Sequence, residues 1–133
     1  MKVNFEKFCI SSKYTGSKPA PWDEHNYNHH TITVTNRETG EKTRFDFWSS
    51  IVQPQIEKEY DLLNAFYCFV SDAFSGEQSF SDFCADFGYD EDSRKAWNTW
   101  KACVRSARKW ERISGFSEIE NCEFFDRLQE IGG

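Results

Sequence analysis

A chain of 133 residues with 17% aromatic and 29% charged side chains and a net charge of −6 can bury a real core and is too rich in rings to be a disordered acidic tail. It reads as one domain, 1–133. The longest apolar run, LLNAFYCFV at 62–70, falls far short of the roughly 20 residues that cross a bilayer, so no membrane partner is expected.

The first half carries strand patterns. Val3, Phe5, Phe8 and Ile10 alternate imperfectly and predict a first strand. Residues 11–26, SSKYTGSKPAPWDEHN, are rich in Gly, Pro and Ser and predict a loop. HTITVTN then alternates cleanly, Ile32 and Val34 on one face and Thr31, Thr33 and Thr35 on the other. After the turn NRETGEK, TRFDFW sets Phe45 and Phe47 on one face. Two alternating runs around a short Gly-containing connection predict a hairpin. With the first strand they make a three-stranded antiparallel sheet.

The second half carries helix patterns. Residues 57–74 align Leu62, Phe66, Phe69, Val70 and Ala73 on one stripe. SFSDFCADFG predicts a short helix capped by Ser79 and stopped by Gly88, with Phe80, Phe83 and Phe87 as its apolar side. Residues 91–112 predict the longest helix. Ser117 to Glu120 form a capping box opening a last one, with Ile119, Cys122, Phe125 and Leu128 expected inside. The whole is an α+β arrangement, a three-stranded sheet packed against a C-terminal four-helix segment.

Charge is laid out in blocks. Residues 57–93 sum to −9 and residues 94–112 to +6. On the long helix, at about 100° per residue, Ala96, Trp100, Cys103, Val104 and Ala107 share one arc, flanked by Trp97 and Trp110. Arg94, Lys101, Arg105, Arg108 and Arg112 form a continuous row on the opposite arc. Such a row either complements acidic helices of the same chain or grips phosphates or an acidic partner. The acidic residues Glu57, Asp61, Asp72, Asp82, Asp86, Asp90, Glu91 and Asp92 provide solubility, or an array that imitates a phosphate backbone inside a basic groove. FCADFGYDEDSRKAW loosely resembles a helix-turn-helix. Asp90, Glu91 and Asp92 stand where the recognition helix would meet DNA, and would repel it.

No reactive motif emerges. His25, His29 and His30 precede an alternating strand, and an extended segment holds His25 and His29 about 13 Å apart, too far to share a metal. There is no phosphate-binding Gly loop and no G-x-S-x-G elbow. The chain is therefore expected to be no enzyme, with no catalytic residue, metal or cofactor. The five cysteines are odd in number, widely spaced and without a C-x-x-C pair, which predicts buried free thiols. The N-terminus MKVNFEKFCI has no signal-peptide core, so an intracellular setting is expected.

The segments TGEKTRFDFWSSI, LLNAFYCFVSDAFSG and FSDFCADFGYDEDSRKAWNTWKAC resemble small accessory proteins of bacteriophages and prophages of gut bacteria, over residues 30 to 110. The D-F-W strand end at 46–48, the F-Y-C-F-V-S-D-A helix from Phe66 and the D-F-G-Y-D turn at 86–90 carry the likeness. The resemblance implies a phage setting and residence in the host bacterial cytoplasm. By analogy of setting, the expected function is an anti-CRISPR-type inhibitor that binds a bacterial defence effector, such as a CRISPR nuclease, and blocks nucleic-acid binding or cleavage by steric and electrostatic occlusion. No direct DNA contact is expected at net −6. The alternative is a phage nucleic-acid accessory protein using the 94–112 row.

Overall fold

The computed structural model describes residues 1–20, 24–49, 56 and 58–133. Four strands, β1 (Lys2–Phe5), β2 (Phe8–Pro19), β3 (Asn26–Asn36) and β4 (Lys42–Ser49), form an antiparallel meander in the order β1-β2-β3-β4. Four helices follow: α1 (Glu59–Gly76), α2 (Phe80–Phe87), α3 (Arg94–Ser114) and α4 (Glu118–Gly132). Among the described residues no helix is long and apolar enough to cross a membrane.

The α+β class holds, with four strands where three were expected. The run from Val3 to Ile10 is a hairpin, with Phe5 opposite Phe8 and only Glu6 and Lys7 between them. Glu6 sits at φ 53°, as the first central residue of a tight hairpin turn requires. The imperfect alternation was the trace of that turn. Most of the expected loop at 11–26 is also strand: Ser11 to Pro19 pair with Thr33 to Asn26, around a register shift at Tyr14/Gly16. Thr15 is the residue the register skips, and Gly16 beside it, at φ 101°, takes the irregular backbone conformation. Gly and Ser there reflect a bulged arm whose ladder is backbone-made, so composition hid the pairing.

The β3–β4 turn is built by Asn36, whose side-chain oxygen accepts from the amides of Glu38 and Thr39. Its amide donates to the Ile113 carbonyl at 3.0 Å, tying the turn to the end of α3. One sheet face carries Val3, Phe5, Phe8, Ile10, Ile32, Val34 and Phe45, all buried, under α1, α4 and the C-terminal half of α3. Trp110 is the hub, with ring centroids 5.2 Å from Phe8, 5.7 Å from Phe66 and 5.4 Å from Phe124. Phe45 stacks on Phe69 at 4.3 Å. Edge and offset contacts of this kind add to the stability that burial of each ring supplies.

Capping explains where the helices begin and end. Ser79, Ser93 and Ser117 each accept from the amide three residues on, and Gly88 and Gly115 close α2 and α3 in the left-handed region. Because Ser93 caps α3, Asp90, Glu91 and Asp92 lie in the preceding turn, outside the helix that was expected to start at 91. The expected start of the first helix, at 57, lies outside the described residues; α1 itself begins at Glu59. The expected inner face of α4 needs correction. Phe124 and Leu128 are fully buried, whereas Ile119 is 72% exposed and Cys122 lies at the surface. Packing selects the Phe124–Leu128 side because it meets Phe5 and Phe8 at 5.4 and 5.3 Å.

Candidate interaction surfaces

Helix α3 is about 31 Å long. Its buried positions, Ala96, Cys103, Trp110, Ile113 and Ser114, hold one side against the rest of the fold. Arg94, Lys101, Arg105, Arg108 and Arg112 stand exposed on the other. Among the described residues none of the five has a carboxylate within ion-pair distance. Lys101 lies 5.9 Å from the Trp97 ring. Lys109, at the edge of the row, donates from Nζ to the Arg44 carbonyl at 2.9 Å, bringing the row alongside β4.

The acidic residues separate into groups. Glu57 lies outside the described residues. Asp61 is a helix cap, accepting from the Lys58 amide at 3.3 Å. Asp72 lies about 16 Å further along α1. Solvent reaches one side of Asp72, yet the protein packed around its carboxyl raises its pKa to about 6. Burial, and then the Asp72 charge, pushes the Cys103 thiol up to about 11. Cys68 shifts upward for the same two reasons, so neither thiol is activated. All five cysteines are free; Cys84 and Cys103 are buried as expected, but Cys68 and Cys122 are exposed and Cys9 is half-buried.

Asp82, Asp86, Asp90, Glu91 and Asp92 come together on α2 and the turn after it, all exposed. Asp86 accepts from the Gln78 side chain, and Asp90 accepts from the Asp92 amide at 3.0 Å. The same segment contributes rings to an aromatic corner. A small second core of Phe83, Cys84, Ala96 and Cys103 is flanked by Phe80, Tyr89 and Trp100. Phe80 meets Trp97 edge-on at 5.0 Å, and Trp97 meets Trp100 at 5.1 Å. Phe87 is 56% exposed and Trp97 43%. Trp100, expected within the core stripe, is half-buried, with its Nε1 donating to the Gln78 carbonyl at 3.1 Å. The expected flank residue Trp110 occupies the centre instead.

The outer face of the sheet is a further surface. Its cross-strand rows read Cys9–Thr35–Lys42, Ser11–Thr33–Arg44 and Lys13–Thr31–Asp46. A depression of about 480 Å³ opens there, lined by Ser11, Lys13, Thr15, Thr31, Thr33 and Arg44. Beside it the Thr15 hydroxyl contacts His29 Nδ1, and His29 Nε2 bonds the Asp46 carboxylate at 2.8 Å. Thr15 also donates to the His29 carbonyl at 3.2 Å, so the three side chains pin β2, β3 and β4 together next to the Gly16 bulge. His30 points the opposite way, into the fold, where its Nε2 accepts from the Ile56 amide at 3.4 Å. Burial, and then His29, lowers the His30 pKa.

Lys13, Thr15 and Arg44 were missed as candidates because they meet only through β3, and the segment holding Lys13 and Thr15 reads as a loop by composition. The outward threonines at 31, 33 and 35 were the one legible signal. The chain matches no protein-family model, no curated protein and no solved structure.

Proposed function

We propose that this chain is a non-enzymatic, phage-encoded inhibitor of anti-CRISPR type, acting in the host bacterial cytoplasm by occupying the basic nucleic-acid groove of a defence nuclease complex. The observation that carries the reading is the α2 corner, where exposed Phe87 shares α2 and its turn with Asp82, Asp86, Asp90, Glu91 and Asp92, and exposed Trp97 packs edge-on against Phe80 of the same helix. Rings of this kind, half free and held by partners below, fill apolar pockets and dominate binding energy. Carboxylates on the same segment supply the charge pattern that a phosphate-binding groove attracts, and speed the encounter. Size, acidity and the phage resemblance support the same reading.

The test is a cleavage assay on purified CRISPR nuclease complexes with the protein added in stoichiometric steps. Inhibition should appear near equimolar protein. The pair Asp86→Lys with Phe87→Ala, both at exposed positions, should weaken inhibition at least tenfold while the melting curve stays in place. Unaltered inhibition by this variant, or unimpeded cleavage across the complexes tried, would defeat the reading.

A further inference from the structure

We infer that the open face of the sheet and the cationic row of α3 form one binding surface for the backbone of single-stranded nucleic acid, with the Lys13–Arg44 depression as a phosphate seat. This goes beyond the inhibitor reading and rests on the opposite charge.

The seat is made by strand register. Ser11, Thr33 and Arg44 lie in one cross-strand row and Lys13 and Thr31 in the next, so two cations flank a floor of hydroxyls. Lys13 and Arg44 stand on strands either side of β3 and two residues apart in register, roughly 12 Å apart at their backbones, within joint reach of one phosphate through their long side chains. The one carboxylate in these rows, Asp46, is bonded to His29. Among the described residues Lys13 and Arg44 have no ion-pair partner. Hydroxyls donate to phosphate oxygens without adding charge, and both side chains and backbone tracking of this type belong to sequence-independent binding.

The seat is not isolated. Lys109 donates to the carbonyl of Arg44 itself, and Arg105, Arg108 and Arg112 follow on the same side of α3. A small phosphate compound would use the seat and leave the row idle; a polyanion uses both. The path turns from sheet to helix, which a flexible single strand can follow and a stiff duplex cannot. The net charge of −6 does not forbid this, because residues 94–112 sum to +6 and carboxylates beyond a screening length of about 10 Å act on the surface only weakly.

Fluorescence anisotropy of labelled single-stranded DNA and RNA, with a duplex of the same length and a mononucleotide as comparisons, tests the inference without any nuclease. With about four phosphates neutralised, affinity for a single strand should fall about fiftyfold between roughly 50 and 200 mM salt. Lys13→Glu with Arg44→Glu should weaken binding at least tenfold and flatten the salt slope, and Arg105→Glu with Arg108→Glu should do the same. Both pairs should keep the wild-type melting curve, since exposed charges contribute little to stability. The Asp86→Lys, Phe87→Ala variant should bind single strands no more weakly than wild type. No binding at low salt, equal affinity for the duplex, displacement by mononucleotide as effective as by oligonucleotide, or indifference to the Lys13/Arg44 pair would each overturn the inference. Those failures leave the cleavage assay untouched, so the two readings fail separately.

Discussion

Gly76 is where α1 meets the backbone of α3, and replacing it tests the helix crossing that holds the aromatic corner to the main core. A Cβ at Gly76 would lie 2.1 Å from the Cys103 carbonyl oxygen, 2.3 Å from its carbon and 2.6 Å from the Val104 nitrogen. All three are main-chain atoms, so no side chain can swing aside. The helices must part by about 1 Å, and overpacking of that kind costs about 1–3 kcal/mol. Alanine is the better helix former by up to about 1 kcal/mol, which offsets part of the loss. Gly76→Ala should therefore lose about 1–2 kcal/mol, a fall in Tm of about 4–10 °C for a chain of this size. Thermal and urea melts followed by circular dichroism measure it. Trp fluorescence offers a second readout, because the Trp100 Nε1 bond to Gln78 spans the end of α1 and α3. The sign discriminates: without the close crossing, propensity alone acts and Tm rises. A raised or unchanged Tm refutes the geometry.

Two further outcomes follow from the core and from Asp72. Trp110→Ala should cost about 3–5 kcal/mol, the range for a buried ring, whereas Trp100→Ala should cost about 1–2 kcal/mol because that ring is half-buried; equal losses in denaturant melts would return Trp100 to the core. For Asp72, the folded pKa of about 6 lies above the ordinary 3.8, so the folded state binds the extra proton between them. Stability contributed by this group is present below about pH 4, declines as pH rises to about 6 and is flat above. In a fully buried group the displacement would be worth about 3 kcal/mol, and solvent screening at this half-open site reduces it to about 1 kcal/mol. Asp72→Asn should thus raise Tm at neutral pH and lose that advantage by about pH 4; a gain independent of pH would remove the desolvation argument.

Local chemistry wrote much of this protein in plain view. Ser79, Ser117, Gly88 and the stripe from Leu62 to Ala73 act within one or two turns of chain, and each was legible as a cap, a stop or a buried face. So was the cationic arc of α3, since helical periodicity alone separates it from Ala96 and Cys103. What periodicity does not contain is which apolar face finds a partner. The chain holds more aromatic surface than its core accepts, so tertiary packing chose Trp110 over Trp100 for the centre and left Phe87, Trp97 and Ile119 facing solvent. The arm from Ser11 to Pro19 became strand only because β3 offered it a backbone ladder. The same ladder, by placing β2 and β4 on either side of β3, set Lys13 beside Arg44; residues so distant in sequence acquire a common surface through register, which no local pattern records.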